Sequence, residues 1–259
     1  MFDRTVTLIP RQPTLDNYRM VIKITGYFKA LGGSLLISGI TAITQTFICA
    51  MTGYALAKLK GKKPGVVMFI VILSILIPPQ VIMVPLFLKF RFFAIFGIIS
   101  LMSGKSLNLI DSVVPITILS LTGFGLKNGL YIFVMRQFFK GVPEELEEAA
   151  LIDGYSIFCS FLRIIMPISV PMLITIFMLA FCWQWTDTFY SSIFFSSFPV
   201  VARTTFIMPS LTGGAQHNAF QLNTLLHTGV LLAIVPIVVL FIILQKWVVT
   251  GIERSGIVG

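Results

Sequence analysis

The chain has 259 residues, of which 56% are hydrophobic and only 11% charged, with a formal net charge of +9. Mean hydropathy is +0.95, and a soluble domain would carry about 25% charged residues, so the composition excludes a soluble enzyme and indicates an integral membrane protein. The positive charge is scattered between apolar runs, where membrane proteins place interfacial anchors, and is not gathered into a nucleic-acid-binding patch.

In chain order, residues 1–29 read as a polar, proline-punctuated lead-in without the apolar core of a cleavable signal peptide. A first span is expected at about 30–57, longer than the ~20 residues needed to cross a bilayer. Its glycines, serines and threonines favour close helix packing over lipid exposure. Lys58, Lys60, Lys62 and Lys63 close it. A second span, about 65–88, contains Pro78-Pro79 and Pro85. Prolines remove backbone hydrogen bonds, so this span is expected to be bent or broken near its far end.

Residues 90–111 form an irregular segment containing Ser103-Gly104-Lys105-Ser106, which looks like the end of a phosphate-binding loop. That motif needs a glycine where Ile99 stands and a preceding strand, so the segment reads as a polar loop. The third span, about 112–139, holds Gly123, Gly125, Lys127 and Asn128. Two readings stay open for it. One is a single helix whose mid-span charge marks a cavity or partner; the other is two shorter helices around a Gly-rich break.

The stretch 140–163 is the one polar helical island. Glu144, Glu145, Glu147 and Glu148 fall in its first turns, with Asp153 after them, where the positive end of a helix dipole favours carboxylates. Pro143 suits the first helical position, and Gly154 reads as a helix stop because glycine readily takes the left-handed conformation. Leu146, Ala149 and Ala150 share one small apolar face. A fourth span follows at about 164–185 and ends in Trp183-Gln184-Trp185-Thr186-Asp187; a fifth is expected at about 226–247, before a short tail.

Glu148-Ala149-Ala150, three residues, Gly154, nine residues, Ile164, one residue and Met166-Pro167 resemble the EAA motif of ABC importer permeases, with Met166 in place of the usual leucine. Pro13-Thr14-Leu15-Asp16-Asn17-Tyr18, the Trp183–Tyr190 stretch and the glycine-rich tail 251–259 are similar to elements of the maltose/oligosaccharide type of these binding-protein-dependent inner membrane components. The second element carries Thr186 where asparagine is usual, and the tail carries Val258 where lysine is usual.

The resemblance implies an all-α, polytopic permease of the bacterial cytoplasmic (inner) membrane, with about five spans here and six in the family, the sixth expected upstream of residue 1. On that basis 1–29 is an outward-facing lead-in and 30–259 the permease domain. The loop 140–163 would be its cytoplasmic coupling helix. Lysine and arginine counts tie at nine on each face, so the resemblance alone sets this orientation. It also implies partners: a second permease subunit forming a heterodimer, two ATP-binding subunits that hold the ATP and Mg, and an extracytoplasmic solute-binding protein. The chain itself would need no cofactor and would not be an enzyme. Its surroundings would be membrane lipid and its substrate a sugar or oligosaccharide.

The implied coupling residues are Glu144, Glu145, Glu147, Glu148, Ala149, Ala150, Asp153, Gly154 and Pro167. For the substrate pathway, aromatic faces with amide and carboxyl partners suit a sugar, so Trp183, Gln184, Trp185 and Asp187 are candidates, against the alternative of an interfacial aromatic belt. Gln80 and Asn128, beside the breaks, are further candidates. Cys49, Cys159 and Cys182 have no disulfide or metal spacing, and His217 and His227 no metal-ligand neighbours. Other readings are an ABC permease for another small solute, a secondary transporter and an intramembrane enzyme. A secondary transporter would need buried ionisable residues in several spans, and an enzyme a nucleophile–base or metal constellation; the sequence has neither.

Overall fold

A computed structural model of the protein describes residues 14–59, 61, 63–93, 107–206 and 219–256, and every element named below lies within them. The lead-in before Thr14, Lys60, Lys62, the Ser103–Ser106 stretch, His217 and the last three residues of the tail lie outside the described residues.

The architecture is helical, as expected. Helix α1 (Asp16–Thr25) lies within the stretch that the sequence presents as a polar, proline-punctuated lead-in. It is stopped by Gly26 at φ 57° and sits against the last helix of the chain through Val21 and Leu225. Helix α2 (Tyr27–Lys58) is 32 residues long, about 48 Å at 1.5 Å per residue, which exceeds the ~30 Å hydrocarbon core.

Ser34, Ser38, Thr41, Gln45, Cys49 and Gly53 fall at spacings of three and four and are all buried. Small residues let helix backbones approach closely where lipid supplies no hydrophobic drive. A Cβ on Gly53 would lie 2.7 Å from Met135 Cβ and 2.9 Å from the Arg136 nitrogen. Helix α2 is therefore the central post of the fold.

Helix α3 (Lys63–Leu76) leads to Pro78, whose extended backbone (ψ 132°) precedes Pro79, as the steric limit on a residue before proline requires. A 3-10 turn (Pro79–Ile82) and α4 (Met83–Arg91) then run at 89° to α3. The expected break is present and comes twelve residues before the expected end of the span. The third expected span resolves into α5 (Val114–Leu121) and α6 (Asn128–Lys140). Gly123 (φ 79°) and Lys127 (φ 63°) make the break between them, so the two-helix reading is the observed one.

The acidic island gives α7 (Glu145–Ile152), followed by α8 (Ile157–Ile168), which holds a π turn at Phe161–Ile165. Helix α8 meets α9 (Val170–Thr186) at 79°. The fourth span accordingly starts later than expected, because Pro167 and Pro171 bracket a bend at Ser169. Short helices α10 (Phe189–Phe194) and α11 (Val201–Phe206) precede α12 (Ala219–Gly256).

Among the described residues two helices can cross a membrane by length and composition, α2 and the Gln221–Gly251 part of α12, or up to four spans if each bent pair counts as one. Helix α2 packs on α5, α6 and α9, and α9 packs on α12. The apolar stretch of α2 is 39% buried and that of α12 only 11%, which puts α12 on the rim. The core between α2, α6, α8 and α9 contains Tyr131, Met135, Phe139, Ile165, Met172 and Ile176, all fully buried.

Candidate functional site

Two places matter for function, one toward each end of the α2–α6 contact: the acidic loop and a cleft that one pathway candidate, Asn128, lines. At the loop end, α7 starts two residues later than the sequence suggested. Glu144 is its N-cap and Glu145 its first residue, so Pro143 precedes the helix instead of opening it. The far end of α7 closes as a Schellman turn. The Tyr155 N–H donates to the Ala150 carbonyl at 3.0 Å and the Gly154 N–H to the Leu151 carbonyl at 3.1 Å, with Gly154 at φ 83°.

Ala150 is buried and anchors α7, while Ala149, its neighbour, is exposed. Glu145, Glu148, Asp153 and Gly154 are exposed, as are Glu144 and Pro167. Glu147 differs. Its carboxylate meets the Lys58 ammonium at 2.9 Å with both side chains largely buried (19% and 17% exposed), and Lys58 also reaches the Val142 carbonyl at 3.4 Å. Below this pair Tyr54 lies 4.7 Å from the Phe161 ring and 5.5 Å from Phe139, which joins α2, α6 and α8.

Beside the exposed acids stand Leu151, Ile152, Ile157 and Phe158, with Ile152 87% exposed. The outer face of α7 and the start of α8 thus pair carboxylates with an uncovered apolar patch. The sequence showed the acids; the apolar half combines Leu151 and Ile152 at the end of α7 with Ile157 and Phe158 of the helix that follows Gly154.

Toward the other end, a cleft of about 640 Å³ opens between the two breaks. Ser74, Ile75, Ile77, Pro79, Ile82, Pro85, Leu86 and Lys89 line it from one side. Phe124, Lys127, Asn128 and Gly129 line the other, with Tyr190. Gly129 allows this approach, since a Cβ there would lie 2.8 Å from Ile75 Cγ1. Asn128 is buried in the wall. Its Nδ2 donates to the Ser120 carbonyl at 3.1 Å, while its Oδ1 has no hydrogen-bond partner among the described residues.

Of the expected pathway residues, Asn128 lines the cleft, and Gln80, Trp183, Gln184, Trp185 and Asp187 do not. Successive helix positions point about 100° apart, so the run at the end of α9 faces several ways. Trp183 is exposed and carries the Lys127 ammonium 4.8 Å above its ring, next to the cleft. Trp185 faces inward, where its indole N–H donates to the Ala233 carbonyl at 3.0 Å. Gln184 is buried. Asp187 caps α10, accepting from the Tyr190 and Ser191 nitrogens at 3.3 and 2.9 Å. Gln80 is exposed on the 3-10 turn.

The sequence reading missed Asp111. This residue sits at φ 66° and its carboxylate accepts from the nitrogens of Ser196, Ser197 and Phe198 at 3.0, 2.9 and 2.8 Å, and from the Ser197 hydroxyl. That hydroxyl, with the backbone donors, holds the Asp111 carboxyl well below the usual carboxylate range. The clamp fixes the 195–198 loop, and the Val201 nitrogen next to it donates to Ser34 Oγ on α2 at 2.8 Å.

A family model described as binding-protein-dependent transport system inner membrane component matches residues 45–254. The chain is 29% identical to the probable starch degradation products transport system permease protein AmyC of Thermoanaerobacterium thermosulfurigenes, across 99% of this chain and 85% of that one. It is 26% identical to the trehalose transport system permease protein SugB of Mycobacterium tuberculosis, across 97% and 85%. Among solved structures, a bacterial ABC transporter involved in import of the acidic polysaccharide alginate has a chain of similar fold. Its TM-score is 0.69 at 21% identity, covering 95% of this chain and 84% of that one.

Proposed function

The chain belongs to the binding-protein-dependent transport system inner membrane components, and we propose that it forms half of the translocation pathway of an ATP-driven sugar or oligosaccharide importer. In this reading α7 is the cytoplasmic coupling helix, ATP and Mg are bound by two partner ATPase subunits, a second permease completes the pathway, and a solute-binding protein delivers the sugar outside. The sugar class rests on the starch-product and trehalose permeases, similar over nearly the whole chain. Residues 1–29 form the outward-facing lead-in to a permease domain at 30–259.

One observation carries the coupling role. Helix α7, closed by its Schellman turn, holds Glu145, Glu148 and Asp153 in the open beside Leu151, Ile152, Ile157 and Phe158. A face of that kind suits a cleft with basic walls and an apolar floor. Charge-assisted bonds there fix the register of the contact, while apolar burial supplies the adhesion. Movement of the ATPase clefts is then delivered through α7 to α8 and α2, where the Lys58–Glu147 pair and the Tyr54 ring cluster sit. The cleft at the two breaks, with Asn128 in its wall, is the part of the sugar path built by this chain.

Uptake into vesicles carrying the assembled complex tests this. Accumulation should require ATP, the ATPase subunit and the binding protein together, and Glu148→Lys should abolish it by repelling the basic cleft. Uptake driven by an ion gradient alone would overturn the reading.

A further inference from the structure

We propose that the transported saccharide is anionic, carrying carboxylate groups, and that Lys89 and Lys127 are the residues that select it. The proposal rests on the importer function just given and adds the charge of the cargo.

The walls of the cleft are mostly apolar, and its two charged side chains are Lys89 and Lys127, both exposed. Nothing described on this chain neutralises them. Ten acidic residues serve the whole sequence, and the eight whose side chains are described are placed elsewhere. Glu144, Glu145, Glu147, Glu148 and Asp153 stand at the α7 end. Asp16 meets Arg19 at 3.8 Å. Asp111 is held by the 196–198 amides and Asp187 by the start of α10. The Lys127 ammonium stands over the Trp183 ring, 4.8 Å from its centroid.

The depth of the cleft raises the significance of two uncompensated cations. Helix α3 has 14 residues and α6 has 13, so each rises about 20 Å from the α7 end before reaching its break, within a hydrocarbon core of about 30 Å. Charges at that level are costly and face cavities or ligands. The N-terminal end of α6 opens at Asn128 on the same space, and its dipole adds positive potential.

A neutral sugar entering here would leave both ammonium groups without a counter-charge. A carboxylate would take charge-assisted hydrogen bonds from either. Lysine is a rotatable point charge on a flexible stem, which can follow an anion and release it, as conduction requires.

The test uses the complete complex in vesicles with its binding protein, ATPase subunits and partner permease. The probes are di- to tetrasaccharides of a uronic acid and the same oligomers with their carboxyl groups reduced to alcohols. The wild type should accumulate the uronate and exclude the reduced form. Lys127→Gln and Lys89→Gln should each lower uronate uptake about tenfold or more, the factor for one charge-assisted hydrogen bond, while Lys127→Arg and Lys89→Arg retain it. Co-purification of each variant with its partners shows that assembly survives. ATP-dependent uptake of the reduced form alone, uptake of neither form, or uronate uptake unchanged in both glutamine variants would overturn the charge selection. Uptake of either probe without ATP would instead overturn the importer function.

Discussion

The hydroxyl of Tyr27 donates to the carbonyl of Leu232 at 2.9 Å, and that carbonyl is the one Pro236 leaves without a helical donor. Proline has no N–H to give to the residue four positions earlier, and in hydrocarbon a bare carbonyl costs several kcal/mol. One residue on, the Ala233 carbonyl accepts the Trp185 indole N–H at 3.0 Å. Helix α12 is therefore fixed at its proline by two aromatic side chains with polar tips.

Tyr27→Phe should lower the thermal stability of the purified complex by about 1–2 kcal/mol, the cost of leaving a buried acceptor unpaired. In a Pro236→Ala background the Leu232 carbonyl regains a backbone donor, so the same change should cost much less. A double-mutant cycle on melting temperature measures the difference. Additive effects would show that the tyrosine stabilises only by packing.

The Lys58–Glu147 pair is screened less than a surface ion pair, because both side chains are mostly buried. Exposed pairs contribute about 0–1 kcal/mol, and this one should lie near the upper end. Lys58→Glu and Glu147→Lys should each reduce the amount of sugar moved per ATP hydrolysed, and the exchanged double variant should recover most of it. Simultaneous measurement of uptake and phosphate release checks this. A double variant as poor as either single one would remove the pair from the coupling route.

Asp111 gives a pH prediction with a definite sign. Its folded-state carboxyl is held below the ordinary aspartate value, first by the Ser197 hydroxyl and then by the backbone N–H groups of Phe198, Ser197 and Ser196, against some opposition from burial. The clamp's stabilisation is thus fully present above the unfolded value of about 3.9 and is lost only as pH falls through the lower folded value. Hydrogen exchange across 195–200, corrected for intrinsic rates, should stay slow in the wild type from pH 7 down through 4. Asp111→Asn should speed it at pH 7. Equal exchange in the two proteins would mean the loop is held by other contacts.

What the sequence showed about this molecule followed from local rules. Pro78-Pro79 signals a break because proline acts on its own backbone, and the Glu148-to-Pro167 spacing resembles a family motif at fixed separations. Gly26, the stop of α1, was equally visible, and the helix before it was missed because the prolines nearby dominated the reading. The Asp111 clamp joins residues about 85 positions apart, so no window along the chain contains it. Trp183 and Trp185 look alike in sequence and face a lysine and a helix core respectively, because facing depends on the register of α9 against its neighbours. Lys127 stands out in the sequence as a charge at a mid-span cavity or a Gly-rich break, whereas nothing local sets Lys89 apart. Their depth follows from where α3 and α6 stop, and the sequence left the second of those stops open.

Gly154 carries the final prediction. At φ 83° it occupies the left-handed region, and a Cβ there would meet nothing within 4 Å. The requirement is therefore conformational and not steric. Gly154→Ala should destabilise the end of α7 by about 1–2 kcal/mol, the cost of holding an L-residue in that conformation, and Gly154→Asn by less. Because the same turn aims the Tyr155 and Gly154 N–H groups at the last carbonyls of α7, its loss should loosen the acidic face before it affects the spans. Retention of the ATPase subunit during purification should fall in the order glycine, asparagine, alanine, with the yield of the membrane-embedded chain unchanged. If yield and retention fell together, Gly154 would be needed for folding and not for presenting α7.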